Sequence, residues 1–177
     1  MYKKLSLNQL NRVDIEKFKL IPKNPFVVIL DNVRSQHNIG SVFRSCDAFA
    51  IEKLYLCGIC ATPPSADIRK SAIGAEESVD WEYYNNTIEI VKELKDKGYL
   101  IFAVEQTLNS TMLDAFLINS NRKYALIFGN EVKGVSQEVI DICDGTIEIP
   151  QFGTKHSLNI SVSVGIVLWQ LISSNKS

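Results

Sequence analysis

The run Phe26-Val-Val-Ile-Leu30 is unbroken, apolar and rich in β-branched side chains, which is typical of a strand buried on both faces of a parallel sheet. Residues 31–38 follow as a polar loop, because they include Asp, Arg, Gln, His and two Asn side chains. From Ile39 to Ala50, apolar residues recur at helical spacing. This stretch therefore predicts a strand, a loop and a helix in succession, the repeating unit of α/β folds.

The same alternation continues along the chain. Further strands are expected at Lys53–Cys57, Tyr99–Val104, Lys123–Phe128 and Thr146–Ile149, and a looser alternation at Glu77–Tyr83 indicates another. Helices are expected over residues 86–97, 136–143 and 159–172, the first opened by Asn86 and closed by Gly98. The pattern predicts an α/β fold with a mostly parallel sheet and helices on both faces. Ligands bind such sheets beyond the carboxyl ends of the strands, so the functional loops are expected at 31–41, 105–112, 129–135 and 150–158.

Length and composition are those of one globular domain: 177 residues, 46% hydrophobic and 22% charged, with a formal net charge of −1. A near-neutral chain has no strong bulk attraction to nucleic acid, so any RNA contact requires a local basic patch. Residues 1–25 are basic and polar, with one short helix expected before Pro22 and Pro25. We therefore expect a basic N-terminal extension over residues 1–25 and a single domain over residues 26–177.

The four cysteines lie in or beside apolar runs, which favours buried thiols over metal ligands or disulfides: Cys46, Cys57, Cys60 and Cys143. Cys57 and Cys60 have the Cys-x-x-Cys spacing of a zinc or redox pair, but no second pair completes a zinc site. We expect no metal and a reduced, cytoplasmic protein without a targeting segment. The uncharged run Ser157–Asn175 contains too many Ser, Asn and Gln residues for a lone membrane span, so a buried helix is expected there.

Three segments in the expected functional loops are dense in glycine and polar side chains. The first runs from Asp31 to Arg44, the second is Phe128-Gly-Asn-Glu-Val-Lys-Gly134, and the third is Ile149-Pro-Gln-Phe-Gly-Thr-Lys-His-Ser-Leu-Asn159. Each alone has a structural explanation: an Asn-capped helix with an exposed arginine, a tight turn with a solvated glutamate, or a capped buried helix. The Gly-x-Gly-x-x-Gly, P-loop and nucleophile-elbow motifs do not occur in the sequence, which argues against dinucleotide oxidoreductases, P-loop enzymes and α/β-hydrolases.

Taken together, the three segments resemble the three motifs of the SpoU (TrmH-like) branch of the SPOUT RNA methyltransferases. Asn38, Gly40 and Arg44 match the Asn-x-Gly-x-x-x-Arg pattern, and Gly129, Glu131 and Gly134 match Gly-x-Glu-x-x-Gly. The third motif, a Pro and a Gly followed by Ser-Leu-Asn, is matched at Pro150, Gly153, Ser157, Leu158 and Asn159. All three occur in order, each after an expected strand, within a resemblance that covers about residues 26–171.

The resemblance implies a C-terminal deep trefoil knot, S-adenosylmethionine as cofactor and a homodimer. It implies methyl transfer to a ribose 2′-hydroxyl of tRNA or rRNA, with tRNA favoured, and it requires neither a metal nor a membrane. Two alternatives stay open: a base-directed SPOUT RNA methyltransferase, and a non-catalytic RNA-binding module of the same fold. The joint presence of Arg44, Glu131 and Asn159 argues against the module, and the Asn38/Arg44 pattern favours ribose over base.

The resemblance also implies roles for individual residues. Arg44 is expected to contact the target nucleotide and activate its 2′-hydroxyl, with Glu131 orienting Arg44 or Asn38. Because arginine is a poor base, it can instead stabilise the developing alkoxide. The implied catalytic set is Arg44, Asn38, Glu131, Ser157 and Asn159. The implied cofactor-binding set is Glu105, Gln106, Thr107, Phe128, Gly129, Asn130, Gly134, Ile149, Pro150, Gln151, Gly153, Ser157 and Leu158. The RNA-binding set is Arg34, His37, Arg44, Lys133, Lys155 and His156, with Arg69 and Lys70 in a wider basic patch.

Two residues depart from the family pattern: Gln151 stands where many relatives have Met, and a histidine, His156, precedes Ser-Leu-Asn. These departures affect the expected detail of the pocket more than the class of reaction. The last expected helix is apolar around more than one face, so either the core or a partner must bury it.

Overall fold

The computed structural model describes residues 2–10 and 12–174. Residues 1, 11 and 175–177 lie outside that description. The first residue of the expected extension and the last residues of the expected domain and of the uncharged run are among them. The strands are β1 Asn24–Asp31, β2 Ile51–Cys57, β3 Trp81–Tyr84, β4 Tyr99–Val104, β5 Thr111–Met112, β6 Lys123–Phe128 and β7 Gly145–Glu148. The α-helices are α1 Ile15–Leu20, α2 Gln36–Ala48, α3 Ala66–Ala72, α4 Ala75–Ser78, α5 Thr87–Asp96, α6 Gln137–Ile140 and α7 Ile160–Ser174, with 3-10 turns at Leu7–Leu10 and Leu113–Ala115.

The described strands form one sheet in the order β3-β2-β1-β6-β4-β7-β5, and every neighbouring pair is parallel. Strand β1 lies between β2 and β6, with Val28 opposite Leu54 on one side and Leu126 on the other. Its residues 26–31 are all buried, which explains why the sequence of this strand does not alternate with polar residues. The expectation of a parallel α/β sheet is confirmed.

Helices cover both faces of this sheet, as the sequence predicts. On one face, α2, α3 and α7 enclose an apolar cluster that includes Phe43, Val164 and Leu168. On the other, α5 and α6 pack over a second cluster that includes Ile90 and Leu94. Each such buried side chain contributes about 1.5–3 kcal/mol. Because α7 is rich in Val and Ile, which are weaker helix formers, packing rather than intrinsic propensity stabilises it.

Strand β7 lies between β4 and β5, although β5 comes earlier in the chain. Residues 105–110 therefore connect two strands that are not neighbours and cross the position that β7 occupies. This insertion of a later strand between two earlier ones agrees with the trefoil knot that the resemblance implies. The knot itself stays a prediction.

The start of α2 differs from the sequence-based expectation. The helix begins at Gln36 rather than Ile39, because Ser35 is the N-cap and its Oγ accepts the N–H of Asn38 at 3.2 Å. The prediction that Asn38 caps this helix is wrong. Asn38 instead lies within the first turn, and its side chain is left to contact neighbouring loops.

Other boundaries also shift. The strand expected at Glu77–Tyr83 is wrong in its first part, where residues 75–78 form α4, and only Trp81–Tyr84 pairs with β2. The helix expected over 136–143 ends at Ile140. Strand β1 begins at Asn24, so the expected domain boundary after residue 25 falls inside the first strand. By contrast, Asn86 caps α5 as predicted, and its side chain accepts the N–H of Ile88 at 2.8 Å.

Candidate active site

The carboxyl ends of β1, β6, β4 and β7 are neighbours in the sheet, which brings together the loops that follow them. A cavity of about 530 Å³ lies between the loops after β4, β6 and β7 and the first turn of α7. This volume is in the range of pockets that hold small-molecule ligands. Its apolar lining is Val104, Phe128, Val132, Ile147, Ile149, Leu158 and Ile160, and its polar lining includes Glu105, Gln106, Asn130, Glu131, Lys133, Ser157 and Asn159.

Glu131, in the loop after β6, holds the loop that leads from β1 into α2. Its Oε1 accepts the Ser35 N–H at 3.0 Å and a hydrogen from Asn38 Nδ2 at 3.1 Å. Its Oε2 accepts the Arg34 N–H at 3.1 Å. The Glu131 side chain therefore forms a hydrogen bond with the Asn38 side chain and not with that of Arg44.

These hydrogen bonds also influence the ionisation of Glu131. Partial burial raises the pKa of a carboxyl group, but the donated N–H groups of Arg34 and Ser35 stabilise its charged form. The hydrogen bonds outweigh the burial, so the pKa of Glu131 lies below its ordinary value of 4.5. The side chain is consequently a charged acceptor throughout the neutral pH range.

Asn159, at the start of α7, completes a chain of hydrogen bonds through Asn38. Its Nδ2 donates to Asn38 Oδ1 at 3.2 Å, while its own Oδ1 accepts the N–H of Ser161 at 2.9 Å. The second contact caps α7, so the helix fixes where the Asn159 amide points. Glu131, Asn38 and Asn159 thus join one residue from each of the three sequence motifs.

The turn after β6 is shaped by Asn130 and two glycines. Asn130 Oδ1 accepts the N–H groups of Val132 and Lys133 at 2.9 and 3.1 Å, and its backbone pairs with Gly134. Gly134 has φ +68°, and a Cβ on Gly129 would lie 2.0 Å from the Gly134 carbonyl carbon. Both positions therefore exclude larger residues. The motif glycines shape this turn, which lines the cavity.

The loop after β4 forms the opposite side of the cavity. Glu105 Oε2 accepts the Val135 N–H at 3.0 Å, which ties this loop to the end of the β6 turn. Gln106 Nε2 donates to the backbone oxygen of His156 at 2.7 Å. The walls contributed by β4, β6 and β7 are thus connected to each other by hydrogen bonds.

Most of the residues expected to hold a cofactor do line this cavity. Thr107 instead borders a neighbouring cavity of about 680 Å³ that also touches Glu105, Gln106 and Lys133. Pro150 and Gly153 do not line the first cavity, and a Cβ on Gly153 would meet nothing within 4 Å. The sequence analysis missed several lining residues: Val104, Val132, Ile147, Glu148, Ile160 and Ser163. Position in the chain was their only signal, because each lies in an expected loop or within five residues of one.

The residues expected to contact RNA are all exposed. Lys133 and His156 line the cavity, Arg34 lies just before α2, His37 and Arg44 lie on α2, and Lys155 lies in the loop before α7. Arg44 is exposed and makes no hydrogen bond or ion pair with the described part of the chain. In the wider patch, Lys70 pairs with Asp67 at 2.8 Å and Arg69 with Glu77 at 3.8 Å, so their charges are partly neutralised.

No group of three or more His, Cys, Asp or Glu side chains within residues 2–10 and 12–174 could hold a metal ion. Over the same residues, no helix is long and apolar enough to cross a membrane.

Comparison with known proteins identifies the family. The profile of the SpoU rRNA Methylase family matches residues 25–169, and the chain belongs to this family. It is 33% identical over 145 residues to the tRNA (guanosine(18)-2′-O)-methyltransferase of Aquifex aeolicus, covering 81% of this chain and 67% of that protein. It is 31% identical over 159 residues to the 23S rRNA (guanosine-2′-O-)-methyltransferase RlmB of Neisseria meningitidis, covering 89% of this chain and 62% of the relative. The chain therefore spans about two thirds of the length of these relatives.

Solved structures agree with this assignment. The crystal structure of the A. aeolicus TrmH/SpoU tRNA modifying enzyme has a TM-score of 0.80 and 27% identity, covering 92% of this chain and 82% of that one. An AdoMet-bound rRNA methyltransferase from Sinorhizobium meliloti has a TM-score of 0.78 at 24% identity, covering 86% of this chain and 58% of that one. The second match shows the fold alone. The expected SPOUT-type α/β fold is confirmed.

Proposed function

We propose that this chain transfers a methyl group from S-adenosylmethionine to a ribose 2′-hydroxyl of RNA. The observation that carries the proposal is the hydrogen-bonded chain Glu131–Asn38–Asn159 at the edge of a ligand-sized cavity. It joins the three family motifs, which lie far apart in sequence, at one place. The names of the Aquifex and Neisseria relatives, both guanosine 2′-O-methyltransferases, support the same reaction.

The residues present fit S-adenosylmethionine. The apolar lining, with Ile147, Ile149 and Leu158, suits an adenine ring, and the turn 129–134 lines the same cavity and can offer backbone groups to the cofactor. When bound, the cofactor supplies an electrophilic methyl group on a sulfonium. The residues that hold it are Glu105, Gln106, Phe128, Gly129, Asn130, Gly134, Ile149, Gln151, Ser157 and Leu158.

Arg44 is the catalytic residue in this proposal. The reaction forms a bond between the ribose oxygen and the methyl carbon and breaks the bond between that carbon and sulfur, while the hydroxyl proton leaves to an RNA phosphate oxygen or to water. The Arg44 guanidinium is permanently charged, so it stabilises the developing alkoxide rather than accepting the proton. Its exposed position leaves it available to the ribose and phosphate of the target nucleotide.

Asn38 orients the substrate beside Arg44. One Asn38 Nδ2 hydrogen is donated to Glu131, and Oδ1 accepts from Asn159. An amide nitrogen carries two hydrogens, so the second remains for the ribose or its phosphate. Asn38 is six residues before Arg44 on α2, a rise of about 9 Å along the helix axis. Both side chains therefore move as parts of one rigid element.

In this proposal tRNA is favoured over rRNA as the substrate, because the A. aeolicus tRNA enzyme resembles the chain in both sequence and structure. Arg34, Lys133 and Lys155 supply the local positive charge that a near-neutral chain needs, and His37 and His156 complete the proposed RNA-binding set. In this proposal the basic extension precedes β1, which begins at Asn24, and the rest of the chain is one domain. The described cysteines are free, which supports a reducing, cytoplasmic location.

In this proposal the protein is a homodimer, and exposed residues of α7 form the dimer interface. Val162, Ile166 and Trp169 recur at helical spacing and are all exposed, with Trp169 at 64%. A row of exposed apolar side chains on one helix face is typical of an interface. Sedimentation velocity is expected to show a dimer that Ile166→Asp converts to a monomer. The control Leu20→Asp, at an exposed residue of α1, should leave the dimer intact, and a monomeric unmodified protein would contradict the assignment.

Calorimetric titration with S-adenosylmethionine, followed by assay on total tRNA and rRNA with a labelled methyl group, tests the function. Ribose methylation makes the neighbouring phosphodiester resistant to alkali, because that hydroxyl is the nucleophile in alkaline cleavage. We expect cofactor binding and alkali-resistant product, with transfer abolished but binding retained in Arg44→Ala. A methylated base would favour the base-directed alternative. Folded protein that binds RNA but neither binds nor uses the cofactor would favour the non-catalytic module.

A further inference from the structure

The loop 149–158 between β7 and α7 is exposed along most of its length yet forms a wall of the cavity. Every residue from 151 to 158 is exposed, including Phe152 at 98%. Before the α7 cap Asn159, which donates to Asn38 Oδ1 at 3.2 Å, the loop makes one hydrogen bond with the described residues of other elements, from Gln106 Nε2 to the backbone oxygen of His156 at 2.7 Å. One side chain therefore holds the middle of this wall against the rest of the protein.

Gln106 is well placed to act as a fixed anchor. It follows Glu105, whose N–H donates to Ile147 O at 3.0 Å and so stays attached to β7. The Glu105 carboxylate accepts the N–H groups of Gln106 and Val135 at 2.9 and 3.0 Å. The backbone of Gln106 is consequently fixed to the sheet, whereas the loop that it holds is not.

Both partners of this hydrogen bond line the cavity. Gln106 belongs to the side formed by the loop after β4, and His156 to the side formed by the loop after β7. The bond thus joins two walls of the cavity to each other. Because the acceptor is a backbone oxygen, the donor at Gln106 is the part of the contact that depends on side-chain identity.

We propose that Gln106 is a positioning residue that holds loop 149–158 closed over the cavity, and that exchange of cofactor with solvent requires this hydrogen bond to break. The proposal deepens the proposed function and rests on it, because it assigns how the same cavity opens and closes. It places the effect of Gln106 on the rate of cofactor dissociation and not on the methyl-transfer step.

The decisive variant is Gln106→Met, which keeps the length of the side chain and removes the donor. Loss of one neutral hydrogen bond corresponds to roughly a threefold to tenfold change in an equilibrium. We expect the dissociation rate of S-adenosylmethionine, measured by stopped flow, to rise by that factor. The KM for the cofactor should rise with it.

The matched control is Gln137→Met. Gln137 Nε2 also donates one hydrogen bond, to Asp141 Oδ1 at 2.7 Å, but this contact lies within the α6 region. The control should leave the cofactor dissociation rate and KM unchanged. Equal effects of the two substitutions would mean that Gln106 acts only through general stability, and would overturn the proposal.

A second readout needs no cofactor. Lys155 is exposed in the middle of the loop, so the rate of tryptic cleavage after Lys155 reports how often the loop moves away. We expect cleavage to accelerate about threefold to tenfold in Gln106→Met and not in Gln137→Met. Unchanged cleavage would overturn the proposal even if the cofactor binds. Faster cleavage in a protein that binds no cofactor would instead overturn the proposed function and leave the role of Gln106 in holding the loop intact.

Discussion

The amide nitrogen of Asn159 lies 3.2 Å from the side-chain oxygen of Asn38, although 121 residues separate the two in sequence. Asn38 in turn donates to Glu131 at 3.1 Å. The start of α7, the start of α2 and the turn after β6 are therefore linked through side chains that the three motifs contribute. Such a linked group is expected to respond as a unit when any member is changed.

The first prediction concerns this linkage. Asn38→Ala and Asn159→Ser should each lower the single-turnover rate of methyl transfer by about tenfold to a hundredfold, and the double variant should be no slower than the slower single variant. Asn159→Ser keeps a short N-cap acceptor for α7 but is too short to reach Asn38, so it separates catalysis from helix stability. Losses that simply multiply in the double variant would show that the two residues act independently.

The second prediction concerns pH and Glu131. Because the folded-state pKa of Glu131 lies below 4.5, its ionised form adds stability that is fully present above the pKa of the unfolded chain. That contribution is lost as the pH falls through the lowered folded-state pKa. The difference in free energy of unfolding between the wild type and Glu131→Gln should therefore be constant from about pH 6 to 8 and shrink below about pH 4.5.

Urea unfolding at several pH values measures this difference. Glu138→Gln, which removes an exposed carboxylate on α6 without a hydrogen-bond partner among the described residues, is the control and should show no such decline. A Glu131→Gln difference that grows as the pH falls would contradict the lowered pKa. It would mean that burial, rather than the N–H groups of Arg34 and Ser35, dominates this carboxylate.

The third prediction separates the motif glycines. Gly129→Ala should destabilise the protein by about 1–3 kcal/mol, since its Cβ would lie 2.0–2.4 Å from backbone atoms of Gly134 and Val135 that have no free space to move into. Gly153→Ala should change stability by no more than about 0.5 kcal/mol, because its Cβ would meet nothing within 4 Å. Thermal or urea unfolding compares the two directly. Equal costs would show that the turn after β6 adapts to a side chain.

The fourth prediction concerns the cysteines. Burial raises the pKa of Cys57 to about 12 and that of Cys60 to about 11. Cys60 is also engaged by hydrogen bonds, since its Sγ accepts the Val33 N–H at 3.2 Å and contacts Leu30 O at 3.4 Å. Because the thiolate is the reactive form, a thiol reagent at pH 8 should modify the native protein at least about a hundredfold more slowly than a free cysteine. Unfolding in urea should make all four thiols react. Rapid labelling of Cys57 or Cys60 in the native protein would contradict their burial.

Local sequence was sufficient for the elements whose pattern is strong. Tyr99–Val104 and Lys123–Phe128 are strands with the predicted bounds, because each is a short apolar run. Asn86 opens α5 and Gly98, with φ +82°, follows its end, since these residue types satisfy the ends of a helix wherever they occur. The motifs likewise named Asn38, Glu131 and Asn159 before any contact between them was known.

Weak or competing local signals gave the errors. Ser35 and Asn38 are both good N-cap residues. In the structure Ser35 caps α2, and the Asn38 side chain instead forms hydrogen bonds with Glu131 and Asn159. Strand β5 has only two residues, too few for a pattern, and it exists because β7 pairs with it. Lys133 and His156, which are expected to contact RNA, also line the cavity, and their place in the sequence did not indicate this.

The sequence by itself therefore determined the class of fold, most of its main strands and helices, and the family to which the motifs belong. It did so because burial on a strand or a helix leaves a local periodic pattern, and because a motif is read from neighbouring residues. Only the tertiary structure decided that β7 enters between β4 and β5, that Glu131 holds Asn38 rather than Arg44, and that Gln106 reaches the backbone of His156. These contacts join segments far apart in the chain, so their geometry depends on how the whole sheet pairs and packs, which no local stretch of sequence records.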